Sequence, residues 1–394
     1  MPPKINRLLI VSHVYHYRHE GAIYAYGPYT REIDIWADLF PEVRIASPLR
    51  NEVPPKDCLP FTRSNISMIP QMETGGDCFG AKLKQIALLP VLLWNLARAM
   101  RGVEAIHVRC PGNLGLLGLL LAPWFSAFVV AKYAGQWNGY HGEPVTVRLQ
   151  RAVMRSLWWR NGVVTVYGEW PDQPKHIVPF FTSMMTADQV RHSVEVARRK
   201  RLGSPVEILY SGRLTELKGV DILLRAARGL ADEGVAFRLS IIGDGSELGR
   251  LKRLCADLGI QESVAFIGAV PFQEVMHWYE RGHILVLPSR HSEGWPKVLA
   301  EAMCHGVVCI STDHGLIPWL LHDKGYVFPV DDTQALVACL KEAIRTPEEY
   351  ERISRAAASW GQNYSLEGLR DALQELLSRK WRMPLTVYSH LRES

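Results

Sequence analysis

The feature that most constrains this chain is a rhythm. Short apolar runs, often β-branched, alternate with longer segments of helical periodicity, and they do so in two series. Runs at 8–12, 43–46, 105–108, 128–133 and 163–166 make the first series, and runs at 208–211, 237–242, 264–267, 284–287 and 308–311 the second. A short continuous apolar run suits a strand buried on both faces, and helical spacing between runs suits crossover helices. Such alternation builds a parallel sheet wrapped by helices. The expected fold class is α/β, with two Rossmann-like doubly wound units facing across a cleft. Further helices are expected at 220–233, 248–258, 271–279 and 366–377. The stretch 182–205 is polar and basic (Arg198, Arg199, Lys200, Arg201) and ends in Gly203-Ser204-Pro205, so it reads as a linker. This places an N-terminal domain at 1–180, a C-terminal domain at 181–365, and a helix and tail at 366–394.

At 394 residues the chain has room for two such cores, and 47% hydrophobic with 22% charged residues excludes collagen-like and disordered classes. Seven scattered cysteines without a C-x-x-C pair favour a reducing, cytoplasmic compartment and leave no structural zinc pattern. No signal peptide is expected, because residues 1–7 lead into only a brief apolar run. The charge-free segment 113–131 is interrupted by Pro123 and reads as a buried helix followed by a strand rather than a membrane span. At 82–101 an apolar stretch containing Trp94 is bracketed by Lys82, Lys84, Arg98 and Arg101. It suits either a helix on an anionic surface or a core-facing helix. Residues 1–178 carry 19 Lys+Arg against 13 Asp+Glu, and residues 179–394 carry 26 against 27. The net excess of +6 in the first half is the balance expected of a surface that meets an anionic membrane or a phosphorylated substrate, or of an ordinary basic surface. Nothing resembles a nucleic-acid-binding motif.

Three motifs carry chemistry. In Tyr210-Ser211-Gly212-Arg213-Leu214-Thr215-Glu216-Leu217-Lys218-Gly219 a strand ends in a glycine turn with two cations five residues apart. Arg213 offers a planar fork and Lys218 a compact charge, a pair suited to one doubly charged anion. In Ile241-Ile242-Gly243-Asp244-Gly245 another strand ends in glycines, but the spacing is not that of a dinucleotide fingerprint and signals only a tight turn or close backbone approach. The third, Ser292-Glu293-Gly294-Trp295-Pro296-Lys297-Val298-Leu299-Ala300-Glu301, runs into a helix bounded by Pro296 and Gly306. A helix N-terminus presents unpaired N–H groups to an anion. Glu293 before it and Glu301 within it can accept hydrogen bonds from hydroxyls at opposite ends of one ligand, such as a sugar and a ribose with a diphosphate between them.

Together G-R-L-x-x-x-K-G, I-I-G-D-G and E-G-W-P-K-V-L-A-E-A-M resemble the glycosyltransferase family 4 pattern (glycosyl transferases group 1, retaining enzymes of GT-B fold) over roughly 205–345. The resemblance implies a nucleotide-sugar donor site in the C-terminal domain, an acceptor-binding N-terminal domain, and a C-terminal helix and tail at 366–394 that cross back to the N-terminal domain. Arg213 and Lys218 would hold the diphosphate, with Gly212 and Gly243 in the adjoining turns. Glu293 would contact the donor sugar beside Gly294, Trp295, Pro296 and Val298, and Glu301 would hold the ribose. Catalysis would rest on Glu293, Arg213 and Lys218. Trp295 stands where relatives usually have Phe, a change that would reshape the sugar pocket. The N-terminal domain matches less well. A long aromatic first loop is expected at 13–29, with Gly27-Pro28 where relatives carry a glycine pair, and Gly135-Gln136-Trp137-Asn138 stands where many carry an active-site histidine. Gly27, Gln136, Trp137 and Asn138 are the acceptor-side candidates, and His16, His19 and His141 the alternative histidines.

No D-x-D motif occurs, so no metal or other cofactor is expected; the cations and the helix N-terminus would supply the positive potential. The implied partners are a UDP- or GDP-sugar and a glycan or lipid-linked acceptor at the cytoplasmic membrane face, in polysaccharide or glycolipid synthesis. Two rivals share the donor motifs: a nucleotide-sugar epimerase of the same fold and a non-catalytic sugar-nucleotide-binding protein. An NAD-dependent dehydrogenase lacks its fingerprint after the first strand.

Overall fold

The computed structural model describes residues 5–73, 79–140, 142–291, 294–388 and 390, with the backbone alone for 79–86. Contacts divide the chain into two compact units, Met1–Ser183 with Leu366–Ser394, and Met184–Ser365. The change of unit thus falls three residues beyond the boundary read from sequence.

The first unit begins β1 (Arg7–Val11), β2 (His16–His19), β3 (Ala22–Tyr26), α1 (Gly27–Ala37), β4 (Glu42–Arg50), β5 (Cys58–Pro60) and β6 (Ile66–Gln71). It continues α2 (Phe79–Met100), β7 (Ala105–Cys110), α3 (Asn113–Phe125), β8 (Phe128–Tyr133), α4 (Val145–Arg155), β9 (Val163–Tyr167) and β10 (Ile177–Phe180). The second unit holds α5 (Ala187–Arg199), β11 (Val206–Ser211), α6 (Val220–Asp232), β12 (Phe237–Ile242), α7 (Leu248–Asp257), β13 (Val264–Gly268) and α8 (Phe272–Arg281). After these come β14 (Ile284–Leu287), α9 (Lys297–Cys304), β15 (Val308–Thr312), α10 (Ile317–Leu321), β16 (Gly325–Phe328), α11 (Thr333–Ala343) and α12 (Pro347–Gly361), and α13 (Leu366–Trp381) belongs again to the first unit.

In the first unit the strand order is β10-β9-β8-β7-β1-β4-β2-β3-β5, with β6 also paired to β4. Successive residues of β1 serve opposite faces: Leu8 and Ile10 join one core with α1 and α13, and Leu9 and Val11 join another with α2 and α3. Leu369, Leu373 and Leu377 of α13 lie on one helix face and pack beside Ile33 and Trp36 of α1. Trp381, in the cationic 378–383 tail, is itself buried against Phe40 and Phe128.

In the second unit the order is β13-β12-β11-β14-β15-β16, all parallel. From β11 the chain steps to β12 and β13 on one side and then returns to β14 on the other. That reversal makes the carboxyl end of β11 and β14 the switch point of the sheet, where doubly wound folds open a crevice.

Three expectations need correction. The aromatic stretch 13–29 is not one loop. It contains the β2–β3 hairpin, closed by Glu20 and Gly21 with φ of 48° and 77°, the positive pair that a two-residue turn demands. The stretch 182–205 is not mere linker, because Thr186 and Gln189 form a capping box that starts α5. Only Val190 and Ser193 of that helix are buried, so its apolar signal is faint. Pro123 does not end α3; it sits in the last turns and the helix runs to Phe125.

Candidate active site

The loops after β11, β12 and β14 are joined backbone to backbone, which is why glycines recur there. Gly243 has φ of 136°, and a Cβ on it would stand 1.9 Å from the Gly212 carbonyl oxygen. A Cβ on Gly245 would stand 2.3 Å from the Leu214 oxygen, and one on Gly219 (φ 64°) 2.0 Å from the Pro288 oxygen. Hydrogen bonds tie the same segments: Gly212 N–H donates to Ile242 O (3.0 Å), Leu214 N–H to Asp244 O (2.9 Å) and Glu247 N–H to Leu214 O (3.0 Å). Only glycine permits these approaches. A Gly243→Ala variant is therefore expected to lower the melting temperature, losing about 1–3 kcal/mol or more to overpacking. A melt unchanged from the parent would show that the two loops can separate freely.

This frame carries the cations. Arg213 is exposed just past β11, and Lys218 is half-buried at the end of the 3-10 helix Glu216–Lys218. The loop between them is braced by a residue that sequence reading missed. Arg290, three residues past β14, donates to both oxygens of Asp221 (2.9 and 2.8 Å), to Asp331 (2.6 Å) and to the Glu216 carbonyl (2.8 Å), and its own N–H donates to Leu217 O (2.8 Å). Burial would raise the Asp221 carboxyl, but the Arg290 guanidinium outweighs it and holds the group below its usual range. Arg290 is thereby neutralised, and its position beside a strand end at the switch point is the signal that could have marked it. Thr312 Oγ1 and His314 Nε2 both lie 2.8 Å from the Ser289 carbonyl oxygen and fix the same loop.

Glu293 lies outside the described residues. Gly294, Trp295 and Pro296 lead into α9, with Pro296 as N-cap and no side chain capping the helix. The Trp295 ring turns into an aromatic cluster, stacked on Trp360 at 5.8 Å and edge-on to Tyr364 at 5.3 Å. This orientation leaves the backbone of 294–296, rather than the indole, to meet a ligand at this turn. Val298 is half-buried in the first turn. Glu301 is buried one turn further on, and the Tyr279 hydroxyl donates to its Oε2 at 3.4 Å. Burial pushes the Tyr279 phenol far up, so it stays a donor at neutral pH. A carboxylate held in this way, within an apolar helix at the switch point, is an acceptor for hydroxyl donors.

The acceptor-side candidates of the first unit do not share one role. Gly27 opens α1 rather than a loop; its N–H donates to Asp57 O at 2.9 Å, and a Cβ would press on Leu59 at 3.1 Å. Trp137 is buried, edge-on to Tyr133 at 5.2 Å with its indole N–H on Gln173 (3.0 Å). On that loop Gln136 is half-buried and Asn138 exposed. His16 is fully buried against the Ser47 hydroxyl (2.6 Å), His19 lies in β2, and His141 is outside the described residues.

Comparison with known proteins bears chiefly on the second unit. Residues 195–360 match the family model described as glycosyl transferases group 1. This half of the chain is similar to the group 1 glycosyltransferases. Over 187 residues it is 33% identical to WcaL of Salmonella typhimurium, named for colanic acid biosynthesis, covering 45% of this chain and 46% of that protein. Over 149 residues it is 36% identical to the amylovoran biosynthesis glycosyltransferase AmsK of Erwinia amylovora, covering 36% of this chain and 37% of that protein. The chain thus spans less than half the length of these two curated relatives. Whole-chain likeness comes from fold. HepE of Anabaena, solved with UDP, superposes with a TM-score of 0.68 at 13% identity, covering 95% of this chain and all of that one. The lipopolysaccharide glycosyltransferase WaaG does so with a TM-score of 0.60 at 14% identity, covering 94% of this chain and 99% of that one. By this likeness of fold, the two Rossmann-like units are those of a GT-B fold.

Proposed function

We propose that the protein is a retaining glycosyltransferase of family 4 that moves a sugar from a UDP- or GDP-sugar to a hydroxyl of a glycan or lipid-linked acceptor. The setting would be polysaccharide or glycolipid assembly at the cytoplasmic membrane face. What supports this reading is the glycine-locked frame at the carboxyl ends of β11, β12 and β14, with Arg213 and Lys218 on the loop after β11 and Glu301 on the helix that follows β14. In that arrangement Arg213 and Lys218 bind the diphosphate and offset its charge as it departs, and the backbone N–H groups at the α9 N-terminus add positive potential. Glu301 accepts the ribose hydroxyls. Glu293 is assigned to the donor sugar on sequence grounds alone. Polysaccharide synthesis is supported by the names of the relatives, and a uridine donor by the ligand of HepE.

The reaction needs stabilisation of an oxocarbenium-like centre and a leaving diphosphate, which fixed cations supply without a bridging ion. Turnover is therefore expected to persist in excess EDTA, and its abolition with rescue by a divalent cation would require a different electrostatic scheme. The donor class is read by thermal shift against UDP, GDP, ADP, CMP and NAD. A ligand at 100 times its dissociation constant adds about 2.7 kcal/mol to the folded state. A shift with one nucleoside diphosphate that weakens in Glu301→Ala identifies donor and pocket together; a shift with NAD alone would overturn the reading.

A further inference from the structure

Helices α2, α3 and α4 pack on one another in chain order and close a common core against one face of the first sheet. With the 3-10 helix Leu157–Trp159 that follows, these elements contain no aspartate or glutamate. Their inner sides are already satisfied: Leu92, Leu96, Leu117 and Met154 are buried in that core. Yet the outer sides keep large apolar groups in solvent. Trp124 is 75% and Leu157 78% exposed, and Trp94, Leu120 and Trp158 are exposed as well. The Trp124 and Trp158 rings lie 5.1 Å apart, which makes one patch of the ends of α3 and α4. Arg98, Arg148, Arg155 and Arg160 are exposed on or beside the same elements. Of the flanking acids, Glu104 is engaged by the Arg7 N–H at 2.9 Å and Glu143 by Arg151.

An acid-free layer with tryptophan and leucine outermost and arginine around them has the chemistry of an interfacial membrane surface. Indole rings prefer the headgroup boundary, where one edge is apolar and the other wet. Arginine forks pair with lipid phosphates. We propose that this face seats the first unit on an anionic lipid bilayer. Charge argues against the same face pairing with a second copy of itself, since a twofold interface would set arginines against arginines. The placement deepens the lipid-linked acceptor and rests on that reading for its purpose, although the docking is measured without any acceptor.

The test is flotation of the intact chain at physiological salt with vesicles of phosphatidylglycerol and phosphatidylethanolamine, against vesicles of phosphatidylcholine alone. The chain is expected to float with the anionic vesicles and to stay behind with the neutral ones. A Trp124→Ser, Leu157→Ser variant is expected to bind at least about tenfold more weakly. A variant with Arg98, Arg148, Arg155 and Arg160 changed to Gln is expected to lose the preference for anionic lipid. Unchanged circular dichroism and an unchanged nucleotide-induced thermal shift establish that both variants are folded. A parent that remains in the dense fraction, or variants that float as well as the parent, would overturn the proposal. So would a parent dimer that the Trp124→Ser, Leu157→Ser change dissociates. Loss of the nucleotide shift with flotation intact would count against the donor reading and leave the docking face standing.

Discussion

An Arg213→Ala, Lys218→Ala double variant is expected to lose transferase turnover by about 10³-fold or more while melting like the parent. Negative charge gathers on the diphosphate as the glycosidic bond breaks, so a fixed cation stabilises the transition state more than the bound donor. Removing one such preorganised group costs about 10²–10³ in turnover. Each single variant should fall in that range, and the double should fall short of their product, since both act on one leaving group. Lys218→Arg keeps the charge but spreads it over a planar fork, and should recover only part of the rate. Stability should barely move, because Arg213 is exposed and surface changes stay within about 0.5 kcal/mol. The measurement is saturating-donor turnover beside a thermal melt. A double variant within threefold of the parent rate would remove both cations from the mechanism.

The largest stability effect is expected in the first unit, where Glu32 of α1 is buried under two cations. Lys132 Nζ lies 2.8 Å and Arg109 Nη1 3.1 Å from its Oε1, at the carboxyl ends of β8 and β7. Burial alone would raise the Glu32 carboxyl, but Lys132 and Arg109 outweigh it and hold the group at about 2 instead of 4.5. Glu32→Gln keeps the volume, removes the anion and strands the buried Lys132 and the half-buried Arg109, a change that costs about 3–5 kcal/mol. The paired Glu32→Gln, Lys132→Met variant should regain part of that loss. The pH dependence has a definite sign. The folded carboxyl titrates lower than the unfolded one, so its contribution is complete above pH 4.5 and fades as pH falls towards 2. The span between those values corresponds to about 3 kcal/mol. Urea denaturation followed from pH 7 to pH 3 should show the gap between parent and Glu32→Gln narrowing with acid. A constant gap would mean that the loss arises from packing rather than from the carboxylate charge.

Much of the second unit was legible because its signals are local. Each expected strand there became β11 to β15, since an apolar run bounded by glycine has few other folded outcomes. Arg213, Lys218 and Glu301 could be named because strand, turn and helix follow one another within a few residues. The role of Arg290 was not visible, because its partners Asp221 and Asp331 are distant in the chain and meet it only when β14 lies beside β11; its place just past a strand end was the one local signal. The same holds for Tyr279 on Glu301, and for Glu32, whose partners stand on β7 and β8. Trp137 looked like a site residue beside Gln136 and Asn138, yet its ring was drawn into the core by Tyr133. Adjacent residues on an irregular loop share no fixed direction.

By itself the sequence determined the α/β class, the two series of strands and the glycine turns that bring cations to a strand end. Those follow from periodicity, from backbone freedom at glycine and from charge, all properties of short segments. Only the tertiary structure decided that 182–205 contains a capped helix and that Trp295 faces Trp360. It alone brought Glu32, Lys132 and Arg109 together in the first unit and left an acid-free aromatic face on its helices. Each of these depends on which distant surfaces meet, and burial then sets what a charge or a ring contributes.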